Sequence, residues 1–249
     1  MAVARFRFYE ELNDFLPVAQ RKREIELRFE PPAPVRHLIE GLGVPHTEIE
    51  IILVNGESVG LERQIEDGDR VSVYPVFEAL DVTPLLRLRP HPLRELLFLA
   101  DAHLGKLARH LRMLGFDTLF FNDLGDRELA ELAGRQRRIL LSRDRALLMR
   151  GTISHGSLIR STDPREQLRQ VVQRFDLGHC LKPFSRCMEC NELLRTTDKT
   201  MVLKQLPPGV AERYDAFLQC SGCGKVFWKG SHYREMRRFI DDLVDQPRE

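Results

Sequence analysis

The hydrophobic pattern is sharpest between residues 97 and 150, where short apolar runs alternate with leucines at helical spacing. Residues 97–100, 118–121 and 139–141 are brief, apolar and followed by polar residues, as buried strands are. Between the first two, Leu104, Leu107, Ala108, Leu111 and Leu114 recur at i, i+3, i+4, i+7 spacing; Leu129, Leu132 and Ala133 repeat the rhythm before the third. This alternation predicts α/β architecture, a parallel sheet with helices on both faces. Residues 157–160 add a fourth strand. Residues 164–175 add a helix that opens on Asp163-Pro164 and turns Leu168, Val171, Val172 and Phe175 inward.

The flanks follow other rhythms. Residues 3–9 and 24–29 alternate with period two, placing Ile25, Leu27 and Phe29 on one face, and the polar stretch between them predicts a hairpin loop. After Pro31, Pro32 and Pro34 comes a short helix with Val35, Leu38, Ile39 and Leu42 inward. Strands at 49–54 and 70–74 follow, punctuated by the turns Asn55-Gly56 and Asp67-Gly68-Asp69. That order predicts a β-grasp (α+β) domain over residues 1–80. Residues 81–95, with Pro84, Pro90 and Pro92 and no period, read as a linker. Near the end, Tyr233, Met236, Ile240 and Leu243 fall at helical spacing, predicting a helix that docks on what precedes it.

Composition bounds the picture. A chain of 249 residues, 43% of them hydrophobic, holds one large or two to three small domains. No apolar run approaches the ~20 residues that span a bilayer, and the opening MAVARFRFYEELNDF lacks the apolar core of a signal peptide. The expectation is a cytoplasmic protein without membrane contact, whose five cysteines serve as metal ligands or free thiols. The net charge of +1 hides an asymmetry: residues 1–83 carry −7, residues 84–186 carry +8 and residues 187–249 balance. The middle part is therefore a candidate polyanion binder.

Candidate chemistry lies at the junctions of the middle segment. Asp101, Asp123 and Asp144 each follow one of the three apolar runs, and Asp126 opens the second helix. In an open parallel sheet the crevice beyond the carboxyl ends of the strands is where ligands bind. Clustered carboxylates there can hold Mg²⁺ or Mn²⁺, which supplies a nucleophilic water and stabilises a leaving oxygen in phosphodiester hydrolysis. Structural readings stand beside this one: Asp126 and Asp144 can cap helices, and Asp123 can be a solvated loop residue. Asp101 is harder to explain structurally, because it terminates an apolar run. Lys106, Arg109 and His110 share the side of the first helix opposite its leucines and can grip an RNA backbone or simply be solvated. A second basic group, Arg135, Arg137 and Arg138 followed by Arg143 and Arg145, lies around Asp144. His155, in a glycine-flanked loop, and Cys180, read as a small buried residue, carry no assignment.

Cys187-Met188-Glu189-Cys190 and Cys220-Ser221-Gly222-Cys223 form two C-x-x-C knuckles, the spacing with which thiolates bind a structural tetrahedral Zn²⁺. A redox dithiol pair and unrelated thiols are the alternatives. Twenty-nine residues separate the knuckles, so an insertion must fold between them. Phe227 and Trp228 follow the second knuckle and either cover its small core or stack on bases.

Two resemblances accompany these readings. HTEIEIILVNGESVGLERQIEDGDRVSVYPVF is similar to the ubiquitin-related modules of the sulfur-carrier family, which implies a β-grasp fold; the chain continues after Val76-Phe77-Glu78, where a carrier ends on a free Gly-Gly. FLADAHLGKLARHLRMLGFDT, GDRELAELA and RILLSRDRALL resemble the Mut-seven C-terminal RNase family, related to PIN-like nucleases. That resemblance implies a PIN-like domain at 96–180 and a zinc ribbon at 181–249. It implies Asp101, Asp126 and Asp144 as metal-binding acids, with Asp123, Glu128 and Ser142 secondary. Residues 104–114 contain no acid, where PIN nucleases often carry a further one. The leading expectation is a metal-dependent ribonuclease; a non-catalytic RNA-binding or assembly module and a phosphatase are the alternatives. The charge asymmetry further predicts docking of the acidic N-terminal domain on the basic nuclease domain.

Overall fold

The computed structural model describes residues 1–76, 87–88 and 95–244. Most of the expected linker at 81–95 lies outside the described residues. Two compact units make up the chain, Met1–Leu96 with Leu124–Leu158 and Leu97–Asp123 with Ile159–Glu249.

The N-terminal segment folds as a five-stranded sheet of β1 (Ala2–Phe8), β2 (Glu24–Phe29), β3 (Ile51–Val54), β4 (Glu57–Ser58) and β5 (Arg70–Tyr74), with α1 (Val35–Gly41) beside it. The strand order is β2-β1-β5-β3-β4, with β1 and β5 parallel at the centre and the other pairs antiparallel. This is the β-grasp arrangement. Alternation along β1 buries Ala4, Phe6 and Phe8, which meet Ile25, Phe29, Ile39, Ile52, Val71 and Val73 in one core. The stretch between β1 and β2 is more ordered than a hairpin loop. It makes two 3-10 turns, Glu10–Phe15 and Val18–Gln20, because Leu12, Phe15 and Leu16 are apolar enough to bury. Asn13 fastens it, donating to the Phe8 carbonyl (2.9 Å) and accepting from the Lys22 N–H (2.6 Å).

Along the middle of the chain run β6 (Phe98–Ala100), α2 (Gly105–Leu114), β7 (Thr118–Phe120), α3 (Asp126–Gln136), β8 (Ile139–Ser142), α4 (Arg145–Leu148), β9 (Gly156–Leu158) and α5 (Pro164–Arg174). The strands pair in parallel, β6 with β7 in one unit and β8 with β9 in the other, each pair joined through a helix as in an α/β sheet. Leu104, Leu107, Ala108, Leu111 and Leu114 are all fully buried, as their spacing predicts. Glycine sets two limits. Gly115 ends α2 at φ +99°, and a Cβ there would lie 2.3 Å from the Lys182 carbonyl oxygen; on Gly134 of α3 one would lie 2.3 Å from that of Thr152.

The C-terminal segment is a three-stranded antiparallel sheet of β10 (Leu194–Thr197), β11 (Phe217–Cys220) and β12 (Val226–Trp228), ordered β10-β11-β12. The long insertion between the knuckles contains two short helices, α6 (Lys199–Val202) and α7 (Val210–Arg213). After β12 comes α8 (Ser231–Val244). Ile240 and Leu243 are buried, and Phe239 packs on α2 and α5 through His110 (ring centroids 5.7 Å apart) and Arg165 (5.1 Å above the ring). The terminal helix thus docks on the α2–α5 pair.

Candidate functional site

The four aspartates divide between the units. In the unit containing β6 and β7, Asp101 follows β6 directly and accepts the Ala102 N–H (2.6 Å), capping a single 3-10 turn ahead of α2. Asp123 is exposed beyond β7. In the unit containing β8, Asp126 is the first residue of α3 and sits 3.7 Å from Arg150, both largely exposed. Gly125 occupies the cap position, and Glu128 accepts its backbone N–H (2.9 Å), which gives that acid a helix-starting role. Asp144 caps α4: its Oδ1 accepts from Ala146 (2.7 Å) and Leu147 (3.3 Å), and its own N–H donates to Oγ of the buried Ser142 (2.9 Å). Capping fixes the rotamer of each carboxylate at the end of a strand.

The basic residues separate into engaged and exposed. Arg109 binds Glu189 of the first knuckle (2.9 Å), and Lys225 reaches the same Glu189 oxygen (2.9 Å). His110 lies against Phe239; burial and the neighbouring Arg165 and Arg109 hold its imidazole below its usual range, against the pull of the Pro164 carbonyl and Asp163. On this side of α2, Lys106 and Arg109 are exposed, while Arg109 is engaged by the first knuckle and His110 is half-buried against α8. Arg138, grouped with its exposed neighbours in the sequence, is buried and donates to Gln136 (2.7 Å). Arg145 lies over the Phe15 ring of the β-grasp segment (5.5 Å), and Arg143 is exposed. Cys180 is half-buried and not a core residue, while His155 is buried.

Cys187, Cys190, Cys220 and Cys223 bring their sulfurs within 4.8 Å of one another; among the described residues they alone form a group of three or more potential metal ligands at such range. Cys187 and Cys223 are 3.7 Å apart, Cys190 and Cys220 3.2 Å. Tetrahedral Zn–S bonds of ~2.3 Å require sulfurs about 3.8 Å apart, so the donor set fits a metal ion. Burial pushes Cys187 up to about 12. Cys220, which burial also raises, is brought down to about 7 by the N–H groups of Cys223 and Gly222 and the Cys190 thiol.

The first knuckle is bolted to α2 and β7. Arg112, 5% exposed on the otherwise apolar face of α2, donates from Nε to the Thr118 carbonyl (2.8 Å). Its Nη1 donates to the carbonyls of Met188 (3.2 Å) and Glu189 (2.7 Å). Burial lowers its pKa while Cys190, Cys187, Glu189 and Asp117 support the charge. Asn191, buried at φ +74°, accepts the Thr118 N–H (3.0 Å) and donates to Asp117 (2.9 Å).

Comparison with known families agrees with this arrangement. The family model of the Mut7-C RNAse domain matches residues 96–240, parallel strands and cysteine tetrad together. The chain belongs to the Mut7-C RNAse domain family. The Mut7-C ubiquitin model matches residues 1–81, the β-grasp segment. Two crystal structures of small archaeal modifier protein 1 from Haloferax volcanii are similar to about the same part. They are 18% and 16% identical, cover 30% and 31% of this chain and 98% and 99% of their own, each with TM-score 0.25. No curated protein matches the chain. No helix among the described residues is long and apolar enough to cross a membrane.

In this Mut7-C chain the RNase match runs through the cysteine knuckles without a break, as Arg112 and Asn191 do in space. Sequence reasoning missed both residues. Arg112 has a signal, a charge on the buried side of an amphipathic helix. Asn191 has none beyond adjacency to Cys190.

A third set was also missed. Arg36 donates to the Met149 carbonyl (2.9 Å). His46, which also binds Glu40 (2.7 Å), contacts the Ile153 carbonyl (2.9 Å), and Glu48 accepts the Leu158 N–H. The β-grasp segment thereby grips the backbone between α4 and β9.

Proposed function

We propose that this protein is a cytoplasmic metal-dependent ribonuclease that hydrolyses RNA phosphodiester bonds, with Asp101, Asp126 and Asp144 as its acids. The observation that supports it most is the pair of rotamer-fixed carboxylates, Asp101 and Asp144, that follow strands in an RNase-family domain. Bound Mg²⁺ or Mn²⁺ would supply an activated water and neutralise charge on the leaving oxygen. Such ions take one or two protein carboxylates directly and keep several waters. Asp144 holds one oxygen against the α4 N–H groups and would offer the other to the metal, and Asp123 and Ser142 flank these acids in sequence. Arg143, exposed beside Asp144, would meet a phosphate oxygen. The cysteine tetrad holds structural Zn²⁺: four thiolates close the coordination shell and leave no position for substrate.

One observation favours a second reading, a non-catalytic RNA-binding module. Asp101 and Asp144 both have capping roles, and Asp126 pairs with Arg150. Asp144→Asn separates the two, because asparagine caps as well as aspartate but carries no charge. The ribonuclease reading expects this variant to bind RNA normally and to cut it at least ~100-fold more slowly. Undiminished binding by a wild-type protein that cuts nothing with Mg²⁺ or Mn²⁺ would favour the binding module. The acidic β-grasp segment, through Arg36, His46 and Glu48, would brace the Asp144 segment and shield nearby basic residues such as Arg145.

A further inference from the structure

A groove of about 730 Å³ runs between α2, the first knuckle, β12 and α8, and none of the four aspartates lines it. Its charged lining is Lys106, Arg109, Arg165 and Lys225 against Glu189 and Glu235, a net +2 with histidines neutral. Arg109 and Lys225 are occupied by Glu189, and Arg165 lies over Phe239. Lys106 is exposed and has no carboxylate partner among the described residues. The walls are aromatic: Phe227 and Trp228 from β12, and Tyr233 and Phe239 from α8. Trp228 is half-buried beside Gly230, where a Cβ would come within 2.9 Å of its Nε1, so a side chain there would crowd the indole.

We propose that this groove binds a single-stranded segment of RNA, with bases stacking on the aromatic wall and phosphates meeting Lys106 and Arg165. Cations interleaved with aromatic faces are the combination that recognises unpaired nucleotides: charge tracks the backbone, and ring faces accept any base. An acidic peptide would satisfy the cations but leave Phe227 and Trp228 without a matching partner. The inference rests on the reading of this chain as an RNA enzyme, and it assigns the substrate's grip to the ribbon side of α2, with cutting left to the aspartates.

Trp228 is the only tryptophan in the chain, so its fluorescence reports on the groove alone. The full zinc-loaded protein is titrated with a ten-nucleotide oligouridylate, without added Mg²⁺ or Mn²⁺, while the anisotropy of a labelled copy measures total binding. Saturable quenching of Trp228 that tracks the anisotropy is expected. Lys106→Ala/Arg165→Ala, both exposed positions, should weaken binding about 5- to 10-fold and reduce the slope of log K against log salt by about 1.4, the release from two phosphates. RNA binding with silent Trp228 and no effect of the double variant would overturn the groove, as would the absence of RNA binding. Equal quenching by polyglutamate at matched charge would overturn the choice of RNA. Quenching without cleavage in later metal assays would sink only the ribonuclease reading, and cleavage with silent Trp228 would sink only the groove.

Discussion

At the scale of single residues, the informative positions are polar groups in apolar surroundings. Arg112 occupies a site that the leucine spacing of α2 would give to another aliphatic side chain, and its three hydrogen bonds end on backbone carbonyls of β7 and the first knuckle. Arg112→Met keeps the volume and strands those carbonyls in a buried place. We expect about 2–4 kcal/mol of lost stability, read as a lower denaturant midpoint. A change below ~0.5 kcal/mol would show that water replaces the guanidinium without cost. Glu40 gives a pH signature. Burial raises its pKa, but His46 and Arg36 more than offset this, so the folded value lies below the ordinary 4.5. A depressed carboxyl stabilises the fold fully above its unfolded pKa, and that contribution is lost as pH falls through the folded value. The stability difference between wild type and Glu40→Gln should therefore be larger at pH 7 than at pH 3. Equal differences at both would contradict the assignment.

At the scale of elements, period explains what could be read in advance. Leu107, Leu111 and Leu114 fall on one face because 3.6 residues make a turn, and β1 buries every second residue because a strand has period two. Those rules need no knowledge of partners, so β1–β3, β5–β9, α1–α3 and α5 were all anticipated to within a few residues. The Glu10–Phe15 turns were not, because a 3-10 segment has too few residues to show a period. The candidate site was legible as a list and not as an arrangement. The order of strands and acids marks Asp101 and Asp144, yet nothing in the spacing of Arg109 and His110 shows that Arg109 would pair with Glu189 of the first knuckle and His110 would meet Phe239 of α8. The grip of the β-grasp segment on residues 149–158 was equally hidden, since its partners are backbone carbonyls and an N–H, groups common to nearly every residue. Arg36→Met should speed amide exchange within residues 149–158, by about tenfold if one net hydrogen bond of ~1.4 kcal/mol is lost, and leave β6 and β7 unchanged. Uniform exchange across the chain would mean that Arg36 does not hold that segment.

At the scale of the whole molecule, the chain joins a β-grasp segment to an RNase domain of the Mut7-C family that runs through its cysteine knuckles. A ribbon anchored through Arg112 and Asn191 should not melt alone. Stripping metal with a strong thiol-competing chelator is expected to expose Trp228 and to loosen α2 and α8 as well, seen as a red shift in emission with loss of helical dichroism. Loss of the ribbon signal alone would make it an independent appendage. The ribonuclease activity proposed above rests on a metal held by strand-end carboxylates of this family domain. Its most direct test is the rate at which full-length protein, freed of loosely bound metal and supplied with Mn²⁺, cuts a labelled single-stranded RNA, beside Asp101→Asn under the same conditions. Cleavage is expected to require Mn²⁺ or Mg²⁺ and to fall at least ~100-fold in the variant, whose asparagine still caps the turn ahead of α2. Cleavage at the same rate by Asp101→Asn, or cleavage that needs no added metal, would contradict that proposal.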